Sequence, residues 1–224
     1  DSLLATLVSL VLETRAAPEV VGSIDPARFA RDSSRASLDG HLGGDDALVN
    51  AVLSVTARVA RARGDADLAL QLFDLAGDDI AVVELFADQL ARLSTTSKSG
   101  RASDDLKTSW LDKARTYADQ RLSSPHSSAI AALSTSNKLK TGPAFQALLN
   151  LAAFFDMCDD HKYPEALDLL DSLKPNLIPA HDRDLGPLLD NATNLDHRIH
   201  QIFPDLLLKT ADCLYELHKQ TNQP

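Results

Sequence analysis

GPAFQALLNLAAFFDMCDDHKYPEALDLLDSLKPNLIP, Gly142–Pro179, contains two helical stretches separated by a short polar break. Gly142-Pro143 opens the first, since proline is tolerated in a first helical turn where its missing N–H has no partner to lose. Phe145, Leu148, Leu149, Ala152 and Phe155 then recur at helical spacing on one face. Leu151, Phe154 and Cys158 widen that face, as expected of a helix packed between neighbours. Asp159-Asp160-His161-Lys162 stops it. Pro164 starts a second helix whose stripe is Ala166, Leu169, Leu170 and Leu173, and Pro175 ends it. With so few residues between them, the two helices must run antiparallel.

The rest of the chain repeats this grammar. Ser2 caps a helix ending near Arg15 or Ala16, and Pro18 stops it. Residues 18–44 are rich in glycine, proline and serine and read as a long loop, with a short helix near Pro26–Arg31. A loop of that length is either functional or mobile. Asp45-Asp46 opens a helix with negative charge at its positive end, and its stripe is Leu48, Val52, Val55 and Val59. Gly64 ends it and Asp65 caps the next, which carries Leu68, Leu72 and Leu75 with Ala69 and Phe73 beside them. Gly77 stops that helix. Asp78-Asp79 starts another on Val82 or Val83, Phe86, Leu90 and Leu93.

Residues 94–103, STTSKSGRAS, form a polar linker between hairpins over 1–93, with their loop at about 17–44, and hairpins over 104–224. Beyond the linker a helix over 104–122 carries Leu106, Trp110, Ala114, Tyr117 and Arg121. A short helix is expected over 127–139 on Ile130 and Leu133. After Pro179, residues Leu185, Leu188, Leu189, Ala192, Leu195, Ile199 and Ile202 trace another. Pro204 kinks it or separates it from a last helix on Leu207, Thr210, Leu214 and Leu217. Ala69-Leu70-Gln71-Leu72-Phe73-Asp74 echoes Ala166-Leu167-Asp168-Leu169-Leu170-Asp171. Two hairpins of one design predict an all-α fold, an irregular α-solenoid of antiparallel helix hairpins. The chain starts at Asp1 and enters a helix at once, which reads as a fragment of a larger protein.

Chemistry is sparse. The net charge of −10 disfavours nucleic acid as a direct partner, and no basic amphipathic segment suggests a membrane surface. Leu3–Leu12 is too short to span a bilayer. Cys158 and Cys213 sit in helical contexts, so a reducing compartment is the simpler reading. The sequon Asn191-Ala192-Thr193 falls inside an expected helix and is discounted. Cys158 with His161, and His197 with His200, have metal-ligand spacing but no further ligands nearby. Asp159-Asp160 and Asp45-Asp46 are explained as charges at helix ends. Gly40-His41-Leu42-Gly43-Gly44 lacks the lysine and strand of a phosphate loop. The residues therefore predict no enzyme, no metal and no cofactor.

Three segments carry a resemblance. Leu12-Glu13-Thr14-Arg15 with Gly22-Ser23-Ile24-Asp25-Pro26 is one. Ala69–Gly77, ending Leu75-Ala76-Gly77, is the second. Leu148–Pro179, with Phe154-Phe155-Asp156, Ala166-Leu167, Leu173-Lys174 and Ile178-Pro179, is the third. In that order they resemble the C-terminal solenoid of the nucleoporin-interacting-component family, the linker scaffold nucleoporin of the nuclear pore inner ring. Residues 27–44 and the serine-rich linkers depart from the family pattern and read as insertions. The family's N-terminal coiled coil, first solenoid half and final segment are not found. The resemblance implies a nonenzymatic scaffold at the nuclear envelope that supports pore assembly and transport. Its implied partners are other nucleoporins, including a short linear motif of a membrane-associated linker nucleoporin. It places no partner-binding residue. A generic helical-repeat adaptor outside the pore, and a helical enzyme using Asp159, Asp160 and His161, are the competing readings.

Overall fold

The computed structural model describes residues 46–95, 101–122, 141–173 and 196–221. These form seven α-helices: α1 Asp46–Ala62, α2 Ala66–Ala76, α3 Asp79–Thr95, α4 Arg101–Tyr117, α5 Thr141–Asp159, α6 Tyr163–Ser172 and α7 His197–Thr221. A π-helical turn, Ala118–Leu122, extends α4. No strand occurs among the described residues. The expected first helix, the 17–44 loop, the 127–139 helix and the helix over 185–195 lie outside them.

Three helix ends share one hydrogen-bond pattern. The N–H of Asp65 donates to the Ala60 carbonyl at 3.0 Å, that of Asp78 to Phe73 at 3.0 Å, and that of Lys162 to Met157 at 2.9 Å. Each spans five residues and closes a Schellman turn around a left-handed residue. That residue is Gly64 at φ 85°, Gly77 at φ 69° and His161 at φ 63°. The next helix begins at once. The Asp65 carboxylate accepts the Leu68 N–H at 3.2 Å, and Asp78 accepts that of Ala81 at 3.1 Å. Lys162 makes no such cap, and a proline in the first turn of α6 stands in its place.

The described residues fall into two compact units, one drawn from Asp1–Leu85 and Thr116–Ala132, the other from Phe86–Arg115 and Leu133–Pro224. In the first, α1 packs on α2. Val49, Val52, Leu53, Ala57 and Ala60 of α1 are buried with Ala69, Leu70, Leu72, Phe73 and Leu75 of α2. Val55 and Val59, expected on the core stripe, are half-buried, as is Leu68. Ala57 and Ala60 are the smallest of the buried α1 side chains and are fully covered. Thr56 joins them because its hydroxyl donates to the Val52 carbonyl at 2.7 Å. The core also buries Asp79, whose carboxylate accepts the Tyr117 hydroxyl at 2.8 Å, and Asp74, which lies 3.6 Å from the Arg121 guanidinium.

In the second unit α5, α6 and α7 pack on one another. Phe145, Leu148, Leu149, Leu151, Ala152, Phe154, Phe155 and Cys158 of α5 are all buried, so the wide apolar arc expected of this helix is present. Phe86 meets the edge of Trp110 and stacks with Phe145, both at 5.9 Å between ring centroids. α6 buries Ala166, Leu170 and the following Leu173, with Leu169 half-buried. Trp110 and Ala114 of α4 are buried as expected, but Leu106 is 43% exposed and Leu111 is buried in its stead. Helices also reach into the polar stretch 94–103, since α3 runs through Thr95 and α4 begins at Arg101.

Candidate functional site

The residues singled out in the sequence have structural tasks where they are described. Leu75 is buried, Ala76 half-buried, and Gly77 turns the chain at φ 69°. Phe154 and Phe155 are core residues in edge contact at 5.5 Å between centroids. Asp156 accepts from Lys107 at 3.3 Å and lies 3.8 Å from Arg115. Ala166 is buried and Leu167 half-buried. Leu12, Glu13, Thr14 and Arg15 lie outside the described residues.

The candidate catalytic cluster does not converge. Asp159, Asp160 and His161 are all exposed around the turn after α5. Asp159 pairs with Lys209, Asp160 with Lys162 at 2.9 Å, and the His161 Nδ1 with the Tyr163 hydroxyl at 2.7 Å. Among the described residues no group of three or more His, Cys, Asp or Glu is placed to hold a metal ion. None of their helices is long and apolar enough to cross a membrane.

The surface feature that stands out is on α7. Ile199, Ile202 and Thr210 face inward as the sequence predicts, but Leu206 and Cys213 complete that face in place of Leu207, Leu214 and Leu217. Thr210 is accommodated because its hydroxyl donates to the Leu206 carbonyl at 2.7 Å. Arg198 is buried too, bonded to Asp88 and, at 3.2 Å, to Asp196. This pair fixes the start of α7 against α3 within the unit. The helix runs unbroken through Pro204, which lies on the exposed side, where water can stand in for the donor that proline lacks.

That register leaves large apolar side chains outward: Leu207 46%, Leu208 67%, Leu214 52% and Tyr215 66% exposed. Leu207 and Leu214 are seven residues apart, as are Leu208 and Tyr215, with exposed Ala211 between them. Seven-residue spacing keeps side chains in line along one side of a helix, and a small residue at its centre admits a close neighbour. An apolar strip of this kind on an outward helix side is a candidate contact surface. The sequence hid it because Leu206-Leu207-Leu208 allows the core stripe to be drawn in three phases.

A protein-family model described as Nup93/Nic96 matches residues 1–224, the whole of the chain. The search of curated proteins gives no match.

Proposed function

This chain belongs to the Nup93/Nic96 family of structural nucleoporins, and from that premise we propose that it serves as a scaffold of the nuclear pore's inner ring. Its place is the nuclear pore complex at the nuclear envelope, and its partners are other nucleoporins. The role is nonenzymatic: helix hairpins hold their shape through buried packing and present surfaces on which neighbouring proteins assemble, supporting pore assembly and nucleocytoplasmic transport. The match across all 224 residues carries this reading.

The outward strip of α7 is its proposed contact. The occupant we assign is an amphipathic helix of another inner-ring nucleoporin, laid along Leu207, Leu208, Ala211, Leu214 and Tyr215. The heptad spacing supports a helix rather than an extended peptide, which would instead engage a sheet edge or a regularly spaced polar groove.

The test is affinity purification of the tagged protein from cells, compared with a Leu208→Glu, Tyr215→Glu double variant. Both positions are exposed, so the variant should keep wild-type helicity and melting. The wild type is expected to recover inner-ring nucleoporins and the variant to lose at least one of them. A wild type that recovers no inner-ring component overturns the scaffold assignment. A variant with an unchanged partner set overturns the α7 contact alone.

A further inference from the structure

Cys158 and Cys213 are 55 residues apart in sequence, yet their Sγ atoms lie 2.7 Å from each other between α5 and α7. Both are free thiols, buried at 3% and 1% exposure. We propose that they form a dithiol which an oxidant of the peroxide class closes into a disulfide, locking α7 onto α5.

The position suits a gated reaction. Cys158 is the last buried residue of α5, followed by exposed Asp159, and Cys213 is the last fully buried position of α7 among the described residues. The pair therefore sits at the margin of the core. Opening the last turns of α7 admits a small oxidant without unfolding the aromatic centre around Phe86 and Phe145. Burial, then the neighbouring Cys213, pushes the Cys158 thiol well above its usual range, while Lys209 pulls it down. In the closed state the sulfur is accordingly protonated and a poor nucleophile. Peroxide reaches a reactive thiolate only when the helix end opens.

The chemistry balances. One thiolate attacks a peroxide oxygen, the O–O bond breaks, water leaves and a sulfenic acid forms. The second thiolate attacks that sulfur, the S–S bond forms and a second water leaves. Two thiols are oxidised to one disulfide, one peroxide is reduced to two waters, and both thiol protons end in water. The bridge closes a loop of more than fifty residues, long enough for a large loss of unfolded-chain freedom. It also fixes the side of α7 that carries Leu207, Leu208, Leu214 and Tyr215.

The whole purified chain is incubated with hydrogen peroxide, and a parallel sample with reductant. The expected result is an intact mass lower by two hydrogens and a non-reducing peptide map joining the segments that hold Cys158 and Cys213. The melting temperature should rise by roughly 5–10 °C and fall back on reduction. Cys213→Ser should show none of these changes at wild-type helicity. Disulfides between chains, sulfinic acid at either cysteine in place of the bridge, or a bridge that leaves the melting temperature unmoved would each overturn the proposal. If the variant does not fold, the wild-type mass and peptide map decide alone.

Discussion

Gly64 turns the chain between α1 and α2, and His161 turns it between α5 and α6, at φ 85° and φ 63°. The backbone solution is the same Schellman turn, and the helices that follow share the Ala-Leu-x-Leu-apolar-Asp core. The side chains solve it differently. The first hairpin uses a glycine, which enters the left-handed region without cost, and an aspartate that caps the next helix. The second uses a histidine, held by its 2.7 Å contact with the Tyr163 hydroxyl, and a proline that needs no cap. Behind the turns the contrast persists. The first unit buries two polar pairs beside α2 and α3, Asp79 with Tyr117 and Asp74 with Arg121, whereas the second sets one buried arginine, Arg198 with Asp88 and Asp196, beside the Phe86, Trp110 and Phe145 cluster. Equivalent backbones do not imply equivalent energetics, and each difference can be measured.

The largest effects should be the same in both regions. Phe73→Ala and Phe154→Ala each remove a fully buried ring, and each should cost about 3–5 kcal/mol in urea denaturation. A loss below about 1 kcal/mol at either site would mean that the ring is not interior there.

The next effect separates the regions. Tyr117→Phe leaves the buried Asp79 carboxylate without its hydroxyl donor and should cost about 2 kcal/mol. Burial first, and the Asp79 charge second, push the Tyr117 hydroxyl far above its ordinary value of 10.0. A pKa raised in the folded state contributes stability that is complete below the unfolded value and is lost as pH rises toward the folded one. Wild-type stability should therefore decline above pH 10.0, and Tyr117→Phe should flatten that decline. Equal alkaline slopes in the two proteins would contradict the assignment.

Smaller effects test the turns themselves. Asp65→Ala removes a cap and should cost about 1 kcal/mol, while Lys162→Ala at the matching position should change stability by less than about 0.3 kcal/mol. Gly64→Ala should also cost about 1 kcal/mol, from backbone conformation alone, because a Cβ there meets no atom within 4 Å. His161→Gly relieves the same conformation but frees the unfolded chain, so it should stay within about 0.5 kcal/mol of wild type. Symmetric results at the two turns would erase the distinction drawn between them.

These contrasts show which information was local. Helix boundaries were legible because Gly-Asp at 64–65, Gly-Asp at 77–78 and the run from Asp159 to Pro164 punctuate the chain within a few residues. The α5 arc was legible because its apolar residues cover so much of the helix that any choice of phase buries them. The inward face of α7 was legible only in part: Ile199, Ile202 and Thr210 could be placed, but Leu206 and Cys213 take the positions that the more conspicuous Leu207 and Leu214 suggest. Long-range pairs leave no period in the sequence at all. Arg198 with Asp88, Tyr117 with Asp79 and Cys158 with Cys213 are joined only by folding. The family segments were readable, but the candidate contact surface was visible only once the α7 register was known.

Cross-linking mass spectrometry of intact nuclear pores tests the central claim most directly. Lys219 is exposed on α7, one turn beyond Tyr215. Its cross-links should reach inner-ring nucleoporins. Cross-links from Lys219 confined to this chain, or reaching only proteins of the outer rings, would contradict the account.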